Sequence, residues 1–148
     1  MHEPSTTERS RQRWAAMAIA ALCALVALSL YDRRADERTL RAANEAGAAG
    51  DYREALRLAR TLTEGTTAAD ARYVEAQVRL RQSRFAEART ALEAAIRERP
   101  SDWRARRDLA GVLLFLGDRS AARREYARAL AQNPRQEPLP VFTEPRDR

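Results

Sequence analysis

Few side chains in this sequence are of a type that does chemistry, and none is spaced to do it. There is one His, His2, and one Cys, Cys23. A single Cys forms no intrachain disulfide, and one Cys with one His is too small a ligand set for a zinc site. All 27 basic residues are Arg, so there is no lysine for a Schiff base or a phosphate-binding loop. His2 lies in the amino tail, with no Ser–His or Cys–His arrangement around it. The acidic pair Asp36–Glu37 stands among arginines. Glu37–Arg41 and Glu93–Arg97 have the i,i+4 spacing of solvated helix faces. Gly47 and Gly50 follow no strand, so they make no phosphate loop. The residues therefore predict no catalytic, metal or cofactor site, no small-molecule substrate and no enzyme. The net charge of +6 raises nucleic acid as a partner. The charges are interspersed, however, and the few aromatics do not interleave with Arg, so nucleic acid is not expected. Arg33, Arg34, Arg38 and Arg41 suit a mild attraction to anionic lipid headgroups.

The elements that carry these residues read as helices throughout. Hydrophobic residues make up 45% of the chain and are dominated by Ala and Leu, with few β-branched residues and only five Gly. Residues 1–13 form a basic amino tail. Trp14–Tyr31, WAAMAIAALCALVALSLY, carries no charge. At 1.5 Å per residue such a run spans about 27 Å, close to a hydrocarbon core of about 30 Å. Trp14 and Tyr31 stand at its ends as interface anchors. The run predicts an uncleaved transmembrane signal anchor over residues 14–31. A cleaved signal peptide with its site near Ala27-Leu28-Ser29 is the rival. Leu22 before Cys23 does not fit a lipoprotein signal. Ala16, Ala20 and Ala24 have small-xxx-small spacing, which permits helix pairing in a membrane. Three Arg precede the run and four follow it closely, so the charges alone do not orient it. A short amino tail favours the cytoplasm, which places the rest outside. Abundant Arg and Ala without Lys suggests a GC-rich bacterial genome. The expected location is then the bacterial inner membrane, single pass, with the carboxyl-terminal domain in the periplasm.

Residues 32–134 repeat themselves. Gly50–Leu56 (GDYREAL), Ser83–Arg89 (SRFAEAR) and Gly117–Arg123 (GDRSAAR) align at spacings of 33 and 34 residues. Ala55, Ala88 and Ala122 then coincide. So do Ala95 and Ala129, Pro100 and Pro134, and Ala76 and Ala110. Small residues at these places would let helix backbones approach. Leu56, Leu58, Leu62, Tyr73, Leu92, Ile96, Leu109, Leu113, Tyr126 and Leu130 recur at helical spacing and would fill the layers. Asp102 or Ser101, Asp118, and Thr66 or Thr67 are placed to cap helix starts, and Gly65 to end a helix in the left-handed conformation. The pattern makes three hairpins, at about 36–65, 68–100 and 102–134. Nothing between Tyr31 and Gly47 breaks a helix, so the anchor would run straight into the first hairpin. Residues 135–148 are a proline-rich tail that cannot be helical, with one apolar patch at Leu139–Phe142. That patch is expected to fold back on the last repeat, with docking to a partner as the alternative.

These segments resemble the tetratricopeptide repeat, a helix–turn–helix unit of about 34 residues. The third copy matches best, with Leu109, Ala110, Gly117, Asp118, Ala122, Tyr126, Ala129 and Pro134. The resemblance implies an all-α protein in which an N-terminal transmembrane helix precedes a short three-repeat solenoid. It also implies that the first helices of the repeats line a concave groove for a protein or peptide client. By motif position that groove would present Leu40 and Asn44, then Tyr73, Gln77 and Arg81, then Arg104, Arg107 and Gly111. Some family members clamp a terminal carboxylate. Of those clamp positions, Asn44 and Arg104 alone match here, while Leu40, Val74 and Asp108 stand at others. The expected function is a membrane-anchored adaptor or assembly factor. The alternative is a permanent structural subunit of a membrane complex.

Overall fold

A computed structural model describes residues 6–62 and 65–139, except for the side chains of 6–13, 15, 16 and 66. Among the described residues six α-helices occur in the order α1 (Thr6–Ala49), α2 (Tyr52–Ala59), α3 (Ala68–Arg81), α4 (Phe85–Glu98), α5 (Trp103–Phe115) and α6 (Arg119–Gln132). A single 3₁₀ turn, Gly65–Thr67, leads into α3. The described residues contain no strand. The chain divides into two units, residues 1–37 and residues 38–148.

In the first unit the large apolar side chains of α1 are exposed. Met17, Ile19, Leu22, Leu25, Leu28 and Leu30 are each at least half accessible, and Trp14 and Tyr31 are exposed at the two ends of the run. Among the described residues no helix is long and apolar enough to cross a membrane. The spanning segment expected over residues 14–31 therefore finds no support in them. Directly after Tyr31 the helix carries Asp32, Arg33 and Arg34, which end the uncharged run.

In the second unit the repeat is visible in the backbone. Gly50, Ser83 and Gly117 occupy equivalent turns, and all three have positive φ, at 87°, 58° and 86°. The amide after each one reaches back to close a Schellman turn: Asp51 to the Ala46 carbonyl, Arg84 to Arg79 and Asp118 to Leu113, each at 2.9 Å. The same residues then start the next helix. Asp51 accepts from the Glu54 amide and Asp118 from the Ala121 amide. Arg84 has no such side-chain bond. The hairpins end alike as well. Arg99 and Asn133 have φ,ψ of −135°,87° and −140°,90°, the extended backbone imposed by Pro100 and Pro134 after them.

Alanine controls the spacing of the helices. Ala55, Ala76, Ala88, Ala105, Ala110, Ala122 and Ala129 have no accessible surface. Leu92, Leu109, Val112 and Leu113 fill the main core between α3, α4, α5 and α6, with Tyr73 and Ile96 at its margin. A smaller core joins Ala43 to Ala59, Leu62, Ala71 and Val74. From α3 to α6 each helix packs on the one before it, as solenoid hairpins do.

Local readings differ from the structure in two places. α2 stops at Ala59, so Gly65 does not cap it; Gly65 opens the 3₁₀ turn with φ of 80°. Thr67 stands before α3 but makes no capping bond, and its hydroxyl is buried without a partner among the described residues. Asp102 does cap α5, accepting from the Arg104 and Ala105 amides, and it is itself buried. At the carboxyl end the chain returns toward the last repeat. The Leu139 amide donates to the Tyr126 hydroxyl at 3.1 Å, and Gln136 is buried. Val141 and Phe142, also expected to fold back, lie outside the described residues.

Candidate peptide-binding groove

The end of α1 together with α3 and α5 provides the side chains expected to line a groove. Two adjoining hollows lie along them. The first, of about 80 Å³, is lined by Asn44, Gly47 and Ala48 of α1 and by Val74, Gln77 and Arg81 of α3. The second, of about 320 Å³, is lined by Gln77 and Leu80 of α3, Phe85 of α4, Arg107, Asp108, Gly111, Val112 and Phe115 of α5, and Leu139 of the tail. Gln77 is common to both.

Local rules explain why these residues share a surface. Tyr73, Gln77 and Leu80, and likewise Arg104, Arg107 or Asp108, and Gly111, recur at three- and four-residue steps along one helix face. The opposite faces carry the buried alanines that hold α3 to α4 and α5 to α6.

The hollows are joined by one polar hub. The Tyr73 hydroxyl donates to Asp108 Oδ2 at 2.7 Å, and Gln77 Nε2 donates to the same oxygen at 2.6 Å. Burial of the Tyr73 ring, and after it the Asp108 carboxylate, push the phenol well above the usual tyrosine range. Tyr73 thus stays a proton donor at any physiological pH. The Arg104 guanidinium lies 5.7 Å from the Tyr73 ring centroid, a cation–π distance. Arg104 also approaches Asp102 at 3.3 Å and Asp70 at 3.8 Å. Its pKa is raised, first by the hydrogen bond to Asp102. Arg81 Nη1 donates to the Gly47 carbonyl at 2.5 Å and ties α3 to the end of α1. That carbonyl belongs to the last turn of α1, where a cation is favoured.

The sequence-predicted site residues therefore fall into two groups. Asn44, Gln77 and Arg81 meet in the first hollow, and Gln77, Arg107 and Gly111 line the second. Tyr73 and Arg104 are bound into the hub beside them. Leu40 goes elsewhere: it packs half-buried against the core of Ala43, Ala59, Leu62, Ala71 and Val74. Asn44 is exposed, but its amide is spent on the Leu40 carbonyl at 3.1 Å. Asp108 is the hub that sequence reasoning passed over, because the matching to a carboxylate clamp made it a mismatch. Its place one turn from Arg104 and Gly111 on the same face was the signal available. Leu80, Phe85 and Phe115, the apolar walls, were also missed. The Phe85 and Phe115 rings stack with centroids 4.1 Å apart, although the two residues are distant in sequence.

The described residues hold no cluster of His, Cys, Asp and Glu that would bind a metal. The groove offers hydrogen-bond donors and acceptors, one aromatic wall and a cation, which is the equipment for holding a chain segment.

No curated protein matches this chain. Among solved structures it is similar to the crystal structure of MamA, with 19% sequence identity and a TM-score of 0.60 over 90% of this chain and 77% of that one. At that identity the likeness speaks for the helical fold alone. The tetratricopeptide repeat family matches residues 79–139, which span the end of α3, the helices α4, α5 and α6, and the described part of the tail. With the three repeated turns and their buried alanines, this shows that residues 79–139 carry tetratricopeptide repeats.

Proposed function

We propose that the protein is a non-enzymatic adaptor that holds an extended protein segment in the groove of α1, α3 and α5, and that residues 14–31 anchor it to a membrane. The observation that carries the groove reading is the pair of adjoining hollows around the Tyr73–Asp108–Gln77 hub. The hub fixes the side chains of α3 and α5 along the groove face, beside hollows where a peptide backbone could bring its own amides and carbonyls to polar partners. Tetratricopeptide repeats serve in general as scaffolds for protein partners, which supports the same reading. The anchor reading is supported by the uncharged run Trp14–Tyr31 and by the exposure of its large apolar side chains. Leucine and isoleucine exposed around a helix are costly in water and at home in lipid.

The test is site-specific photo-crosslinking in the full chain in its native membranes. A photoreactive residue at Asn44 and another at Gly111 are expected to capture the same partner, while one at Arg124 is not. Equal capture from Arg124, or different partners from Asn44 and Gly111, would overturn the single-groove reading.

A further inference from the structure

We infer that the larger hollow of the groove is filled in cis by this chain's own carboxyl-terminal segment, with Phe142 seated against Phe85 and Phe115. The chain already enters the hollow. Leu139 is half-buried and forms part of its wall, and the Leu139 amide is fixed by the Tyr126 hydroxyl at 3.1 Å. The chain continues from Leu139 into Pro140-Val141-Phe142, outside the described residues.

Pro138 and Pro140 flank Leu139, which favours polyproline II backbone from Glu137 to Pro140. That helix has three residues per turn and rises about 3.1 Å per residue, so the same backbone continued to residue 142 would put Phe142 on the edge of Leu139, about 9 Å further on. Aromatic-lined grooves are what proline-rich extended segments dock into. Here the aromatic lining is present and uncovered among the described residues. Phe115 is 72% exposed although it stacks on Phe85, and Leu116 beside it is 45% exposed. The floor is open too, since a Cβ at Gly111 would meet nothing within 4 Å. An exposed aromatic, an open floor and a tethered apolar segment one turn away make the tail the occupant that needs least ordering. If the groove also takes a client, as proposed above, the client must displace this segment.

The experiment uses the full chain in detergent with Cys23→Ala, so that introduced cysteines are the only thiols. Gly111→Cys is combined with Thr143→Cys, which leaves Phe142 in place, and Arg124→Cys with Thr143→Cys serves as the control outside the groove. Under mild oxidation the first pair is expected to close an intramolecular disulfide about tenfold faster than the control. Equal rates would overturn the proposal. A disulfide-linked dimer from the first pair would overturn it in favour of a second copy's tail. The second measurement is maleimide labelling of Gly111→Cys alone. Phe142→Ala, and truncation after Leu139, are each expected to speed labelling several-fold, with helicity unchanged. Unchanged labelling would mean an unoccupied groove. Neither readout involves a client, so loss of the tail contact leaves the adaptor reading standing, and failure of partner capture leaves the tail contact standing.

Discussion

Asp108 is the residue on which the groove depends most. One carboxylate oxygen accepts from both the Tyr73 hydroxyl and Gln77 Nε2, across two helices that are otherwise joined by alanine and leucine. Removing it leaves two half-buried donors without their acceptor. Asp108→Ala is expected to cost about 1–3 kcal/mol in denaturant unfolding. Asp108→Asn preserves the shape and one acceptor, so it should cost less. A melt of Asp108→Ala indistinguishable from the parent would mean that water replaces the carboxylate and that the hub does not order the groove. The types of these residues were legible in the sequence, and so was their helix face. Their pairing was not, because it depends on how far α3 and α5 slide along each other. Leu40 shows the same limit from the other side. Its repeat position put it in the groove, yet a leucine at the margin of a small alanine core gains more by packing inward.

The three turns show how closely the helices obey local rules. Gly50 and Gly117 take left-handed φ without strain, and Asp51 and Asp118 cap the helices that come next. The Asp118 carboxyl is held below the usual aspartate range, first by the Ala121 amide and then by the Ser120 hydroxyl. The second turn has neither device. Ser83 sits at φ of 58° and Arg84 makes no cap. A non-glycine residue there is strained by about 1 kcal/mol, and a missing cap is worth about as much. Ser83→Gly with Arg84→Asp is therefore expected to raise stability by about 1–2 kcal/mol, offset in part by glycine's freedom in the unfolded chain and by the lost exposed Arg84–Glu87 pair. Thermal unfolding of the double variant checks it, and an unchanged or lower midpoint would show that Ser83 is not strained. These turns were readable from spacing alone, since Schellman turns, caps and X-Pro bonds act over a few residues. The short α2 was not. Its end at Ala59 falls within a run, Leu56–Thr63, that has no Gly or Pro to stop it.

At the scale of the whole chain, the anchor proposed at residues 14–31 makes a prediction about which side of a membrane the repeats would face. The repeats themselves carry no answer, because a tetratricopeptide fold holds equally well in either compartment. The answer belongs to the residues that flank the apolar run. Arg9, Arg11 and Arg13 precede it, and Arg33, Arg34, Arg38 and Arg41 come after it. Positive charge retains a segment in the cytoplasm, while Asp and Glu count little, so the two sides nearly balance. What breaks the tie is length. A long carboxyl-terminal domain translocates largely regardless of its charge. A reporter fused after Arg148 should therefore give alkaline phosphatase activity, which requires export. The fusion should stay with the membrane fraction in carbonate. An inactive but stable fusion would reverse the orientation. An active fusion released into the soluble fraction would mean that residues 14–31 are cleaved as a signal and do not anchor. Substituting Leu25 and Val26 by Arg at the middle of the run, where a charge is most costly, is expected to abolish both export and membrane retention. If the substituted fusion behaves like the parent, the run neither spans nor targets, and its exposed leucines must be covered by another protein.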